Sequence, residues 1–260
     1  MAKARERRFG VGTYGLSLAY LSLLFVYLEL LLHFFTFGSV GVRIVYAIFF
    51  SLAFAGVLSL ISALLPQKGR KVVVVIVVLL LCILYETQLI YRGVFGSFMP
   101  IAQIALGKNA VENFTNQILY CIRRNILPFL LLLLPVVLTL LFAIKSKLLN
   151  FQLKLRGKLV AAAISVGTIA IALAALLLTN SGPGSAYRIL TDSGTATDNC
   201  VKNVGLLATT LQEAHYQLFG DDGPILNGVV SGEIVQRDEE EFNVDPSIDF
   251  TQLPKGDADL

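Results

Sequence analysis

The chain is short of the residues on which most soluble chemistry depends. It has two histidines and three cysteines in 260 residues. Without a Cys-x-x-Cys there is no thiolate metal site, and three cysteines do not make a disulfide scaffold. Without a His-Glu-x-x-His there is no zincin helix. No Ala-x-Ala cleavage site follows the first apolar run, so that run is expected to stay as a helix and not to be removed as a signal peptide. Ser181-Gly-Pro-Gly-Ser has no Lys-Ser/Thr and no preceding strand, which makes it a turn and not a phosphate loop. Charge is scarce as well: Asp, Glu, Lys and Arg together make 15% of the chain, too little to solvate a globular domain of this length.

What is abundant is apolar side chain, 55% of the residues, gathered into runs of about 20, the length an α-helix needs to cross a bilayer. Five spans are expected: Val11 to Phe37, Ile44 to Leu65, Val72 to Tyr91, Ile126 to Ile144 and Leu159 to Thr179. The fold class is therefore an all-α integral membrane protein, with a membrane domain over residues 1–179 and an extension over 180–260. No inverted repeat and no matched pair of Gly/Pro-broken segments is present, which disfavours a coupled transporter.

The formal net charge of +3 hides an asymmetry, because residues 1–179 hold 17 Lys/Arg against 4 Asp/Glu whereas residues 180–260 hold 4 against 14. The bases are spread over loops and form no continuous phosphate-tracking face, so no nucleic-acid partner is expected. They report topology instead. With the N-terminus inside, 12 basic residues lie in the N-terminal tail, the Lys68 to Lys71 loop and the Lys145 to Lys158 loop. Fewer (Arg43, Arg92, Lys108, Arg123, Arg124) lie outside. The positive-inside rule then puts the N-terminus in the cytoplasm and the acidic C-terminal part outside.

Between the third and fourth spans, Ile101, Ile104, Val111, Phe114, Ile118 and Ile122 recur at helical spacing, with Lys108, Asn116 and Arg123 off that stripe. Residues 97–124 thus read as a pair of interfacial helices, the first ended by Gly107 and the second started by Asn109 with Glu112 as a capping box. Asn113-Phe-Thr115 is a formal glycosylation sequon. Pro128 and Pro135 fall in the fourth span and are expected to bend it. Beyond the turn at Asn180 to Ser185, Asp198 is expected to N-cap one helix carrying Val201, Val204, Leu207, Leu211, Ala214 and Leu218, ended by Gly220. Its modest apolar face requires a partner. An acidic tail, Glu233 to Val244 and onward, completes a segment with too few apolar groups to fold alone.

Ionisable groups inside spans are the natural place to look for a site, since each costs roughly 2.5–3.5 kcal/mol at a helix centre. Glu29 and Glu86 sit about 27 Å and 21 Å along their helices from the inner side. Both belong to the outer half. His33 follows Glu29 at i+4 and shares its face, while Gln88, Tyr91, Arg92 and Arg43 lie at similar height. Two readings stand side by side. One is a polar pocket holding a lipid headgroup, with Glu29, His33, Glu86, Gln88, Tyr91 and Arg92 as its lining and an arginine on the phosphate. The other is interfacial pairing that fixes helix packing. No residue is assigned a catalytic or metal-binding role: His215 and Glu213 are two apart and diverge on a helix.

Several stretches resemble the N-terminal membrane region of the lipoteichoic acid synthase family, the phosphoglycerol transferases of the sulfatase-like superfamily. Tyr85-Glu-Thr-Gln-Leu-Ile-Tyr-Arg-Gly-Val-Phe-Gly-Ser-Phe is similar to the family's exit from the third span. Val204-Gly-Leu-Leu-Ala-Thr-Thr-Leu resembles its outer helix, and Glu241-Phe-Asn-Val-Asp-Pro-Ser-Ile-Asp-Phe its linker. The resemblance implies a membrane anchor that presents a phosphatidylglycerol-like lipid to an extracellular sulfatase-like catalytic domain, in cis or in trans, in a bacterial cell membrane. It also implies manganese in that catalytic domain and no cofactor in this chain, which is expected to be inactive alone because none of the family's catalytic motifs matches a position here. The rival is a non-enzymatic accessory or assembly subunit that binds a separate partner through its outer helix.

Overall fold

The computed structural model describes residues 2–38, 41, 43–145, 149, 151, 153–178, 185–191 and 196–219, the side chains of 2–11 and 104–113 excepted. The chain divides into two compact units, 1–223 and 224–260, of which the second lies outside the described residues, as does the acidic tail expected there. Among the described residues the regular structure is all helical: α1 (Ala2–Phe37), α2 (Ile44–Leu64), α3 (Gln67–Phe95), a 3-10 helix (Ile101–Leu106), α4 (Gly107–Arg124), α5 (Ile126–Lys145), α6 (Leu155–Leu177), α7 (Ala186–Thr191), α8 (Thr197–Val204) and α9 (Leu206–Phe219). Five of these, α1, α2, α3, α5 and α6, are long and apolar enough to cross a membrane.

The helix ends follow from local chemistry. Pro66 drives the residue before it out of the helical region, so Leu65 is extended and α2 stops at Leu64. The start of α3 at Gln67 lies five residues before the expected position. Arg70 is therefore part of the helix and not of a free loop: its guanidinium is buried and donates to the carbonyls of Ser62, Leu65, Leu149 and Phe151, lying 3.8 Å above the Phe151 ring. At the other end, Gly96 takes a left-handed conformation (φ +77°) and donates its N–H to the Arg92 carbonyl, closing α3.

The spans pack through two kinds of surface. Leu21, Leu24, Phe25, Leu28 and Leu32 of α1 form a buried stripe against Val74, Val78, Cys82, Tyr85 and Leu89 of α3. Small residues join α2 to α6, where a Cβ on Gly56 would lie 2.6 Å from Thr168 Oγ1 and 3.4 Å from the Ser165 Cα, the close approach typical of helices in lipid. Much of the remaining apolar surface, including Leu127, Leu130, Val137, Leu159 and Val166, faces outward.

Of the two prolines in the fourth span, only Pro135 is in the helix interior, whereas Pro128 occupies the first turn, where a missing N–H costs nothing. Pro135 leaves the Leu131 carbonyl without its usual donor, and Tyr27 of α1 supplies one at 3.0 Å. One turn on, Thr139 Oγ1 bonds the Pro135 carbonyl and the Tyr20 hydroxyl.

The first short helix is a 3-10 helix that ends at Leu106, directly before Gly107, where α4 begins; the irregularity in α4 falls at Phe114 (φ −119°, ψ 22°), and the Asn109 and Glu112 side chains lie outside the described ones. The single helix expected after Asp198 is two, α8 and α9, broken at Gly205 (φ +92°). Its N-cap residue is Ala196 and not Asp198, which lies in the first turn. A short helix, α7, precedes them. Gly220 and most of the Asn180 to Ser185 turn are outside the described residues.

Candidate functional site

The expected site residues lie around the end of the bundle where α1 and α3 finish, and most of them hold α8, α9 and the 96–103 segment onto the spans. Glu29 is the deepest, fully buried in α1. Its two carboxylate oxygens accept the backbone N–H groups of Leu206 and Leu207 at 3.2 and 3.0 Å. Those are the first amides of α9, which have no partner within the helix and stand at its positive pole. A carboxylate on one span thus caps a helix 177 positions later in the chain.

Gly205 makes this possible. Its backbone (φ +92°, ψ 164°) is in a region that residues with a Cβ avoid. The space is also closed: a Cβ there would lie 2.7 Å from Ala47 Cβ and 3.0 Å from Glu29 Oε1. His33, one turn beyond Glu29, turns Nδ1 to the Glu29 carbonyl at 3.0 Å and lies 3.8 Å from its Oε2. Its buried Nε2 has no hydrogen-bond partner among the described residues.

The arginines at the collar are already engaged. Arg43 donates to Asn203 Oδ1 at 2.6 Å, and Asn203 in turn donates to the Asn199 carbonyl. Arg92 pairs with Asp198 Oδ1 at 2.5 Å, an oxygen that also accepts the Phe98 N–H, and its guanidinium lies close to the Phe37 and Phe98 ring centres, at 4.8 and 4.9 Å. Gln88 pairs with both backbone groups of Met99, donating at 2.9 Å and accepting at 2.8 Å, which fixes the turn after α3. The Tyr91 hydroxyl donates to Gln103. On the opposite side Glu213 of α9 accepts the Ile101 N–H and the Thr197 hydroxyl, linking α9, the 3-10 helix and α8.

Glu86 stays apart. It makes no hydrogen bond or ion pair among the described residues, and its Oε1 is buried within the protein. His215 packs on Tyr216 and Phe219. The three cysteines form no disulfide and are all buried. No group of three His, Cys, Asp or Glu side chains converges among the described residues.

The structure therefore brings together Glu29 with His33, and Gln88, Tyr91 and Arg92 with the segment after α3. Sequence reasoning missed Gly205, Asn203, Asp198 and Glu213 as their partners. A signal existed for one of them: a glycine interrupting an apolar helical pattern, in a chain with a carboxylate inside a span, marks a backbone position that another group approaches closely. No family model, curated protein or solved structure matches the chain.

Proposed function

We propose that the chain is the membrane anchor of a phosphoglycerol transferase of the lipoteichoic acid synthase type. In this role it holds α7, α8 and α9 as a fixed helical platform at the outer membrane face, and the segment after α9 leads from that platform to a sulfatase-like catalytic domain, in cis or in trans. The N-terminus is cytoplasmic, and the platform lies where a phosphatidylglycerol-like lipid can be passed to that domain. One observation carries this reading: the buried Glu29 carboxylate is spent on the first amides of α9. A charge kept inside a span serves a use that repays its cost, and here that use is to set the register of the extramembrane helices on the spans. The resemblance of residues 85–98, 204–211 and 241–250 to the family supports a sulfatase-like domain as the platform's partner.

The test couples the chain to a catalytic domain of that family and measures diacylglycerol release from fluorescent phosphatidylglycerol with manganese. Glu29→Ala should lower release while the protein stays in the membrane. Unchanged release in Glu29→Ala and in Gly205→Val would remove the platform from the mechanism.

A second reading rests on α9. Leu211, Leu218 and Phe219 are exposed there, and the first two share a face at i and i+7. Such a face suits a separate partner, as in an accessory subunit. Leu211→Asp with Leu218→Asp would then release a co-purifying protein and leave lipid transfer unaltered.

A further inference from the structure

A pocket of about 470 Å³ lies between the last turn of α3 and the C-terminal half of α4. Asn116, Gln117, Tyr120 and Arg124 of α4 form its polar wall, and Gly93, Val94, Cys121 and Asn125 complete the lining. The four wall residues share one face of α4, their spacings being three or four residues once the adjacent pair is set aside. Gly93 is needed for the geometry, because a Cβ there would run into the Cys121 sulfur, which seats α4 against α3 beneath the pocket. No acidic side chain lines the pocket, and no described carboxylate pairs with Arg124, the two ion pairs among described residues being elsewhere.

Its level is informative. Gly93 is in the final turn of one helix long enough to span, and Asn125 immediately precedes another, so the pocket stands at the headgroup layer of a bilayer crossed by α3 and α5. Directly along α5 from it, Ile126, Leu127 and Leu130 expose apolar side chains. A guanidinium without a carboxylate, surrounded by carboxamides and a phenol, matches a phosphate oxygen and neighbouring hydroxyls. An apolar strip beside it matches acyl chains.

We propose that this pocket binds the phosphate-bearing headgroup of an anionic glycerophospholipid, with Arg124 on the phosphate and Asn116, Gln117 and Tyr120 on its oxygens and hydroxyls. The assignment rests on the membrane placement proposed above and moves lipid recognition from the collar, whose arginines are occupied, to α4.

The experiment uses the whole chain in detergent with an equimolar mixture of phosphatidylglycerol and phosphatidylcholine, and native mass spectrometry to count the lipids retained. The chain should prefer phosphatidylglycerol. Arg124→Gln should reduce that preference about tenfold, the scale of one charge-assisted hydrogen bond, and Asn116→Leu with Gln117→Leu should reduce it with the charge intact. Arg123→Gln, which removes the same charge from a residue outside the pocket, should leave it unchanged. Equal loss in Arg123→Gln and Arg124→Gln, or no loss in Arg124→Gln, overturns the site. Displacement of the lipid by soluble glycerol phosphate at equal concentration overturns the lipid assignment, since the phosphate alone would then account for binding. Retention is read without any transfer step. A chain that holds phosphatidylglycerol yet supports no transfer when coupled to the catalytic domain therefore refutes the anchor function and not this pocket.

Discussion

At the scale of single residues, the collar depends on a carboxylate and a glycine that work as a pair. Glu29→Gln keeps one accepting oxygen but turns an NH2 group toward the Leu206 or Leu207 amide, each of which now donates to a carboxylate oxygen. A buried amide left without an acceptor costs about 1–3 kcal/mol. Hydrogen exchange of the first turn of α9 should accelerate by one to two orders of magnitude, roughly the factor that such a loss implies, while exchange in α5 and α6 stays as it is. Gly205→Ala attacks the same contact from the other side, combining a disfavoured backbone conformation worth about 1–3 kcal/mol with the approach to Ala47 and Glu29. It should release α9 at least as strongly as Glu29→Gln does. Because both changes break one contact, the double variant should cost clearly less than the two losses added, and full additivity would show that the contact is not shared.

At the scale of elements, the spans were legible because an apolar run of the right length has few alternatives in a chain so poor in charge. The ends were less so: α3 begins at Gln67, and its first turns are tied to the bundle because Arg70 turns back onto carbonyls of α2 and the segment before α6 while Lys71 donates to the Ala143 carbonyl of α5. The break between α8 and α9 was not legible. Val201, Val204 and Leu207 keep helical spacing straight through Gly205, and only the distant Glu29 reveals why the chain must turn there. Glu29 and Arg92 were recognisable as unusual, but their partners lie 177 and 106 positions away, a distance at which sequence spacing carries no information. The fourth span gives a further test at this scale. Tyr27→Phe removes the donor that Pro135 leaves the Leu131 carbonyl needing, at a cost of about 0.6–1.5 kcal/mol. Restoring an intrahelical donor with Pro135→Ala should make Tyr27→Phe nearly neutral in equilibrium unfolding by denaturant in mixed micelles.

At the scale of the whole molecule, the charge asymmetry predicts how the bundle sits in a bilayer. Seventeen of the 21 basic residues precede residue 180, and the densest groups are at the ends of the spans opposite the collar. The membrane potential and the anionic inner leaflet both favour those groups in the cytoplasm. The platform formed by α8 and α9 should then face outward. The buried state of Cys82, Cys121 and Cys200 means that native thiols make poor reporters and leave a quiet background for introduced ones. Gln217 of α9 and Lys68 of α3 are exposed and on opposite ends of the bundle. Gln217→Cys should react with an impermeant maleimide in intact cells, whereas Lys68→Cys should react only after lysis. The reverse pattern would place α8 and α9 in the cytoplasm, and with them the pocket beside Gly93, so an outer-leaflet headgroup site could not stand.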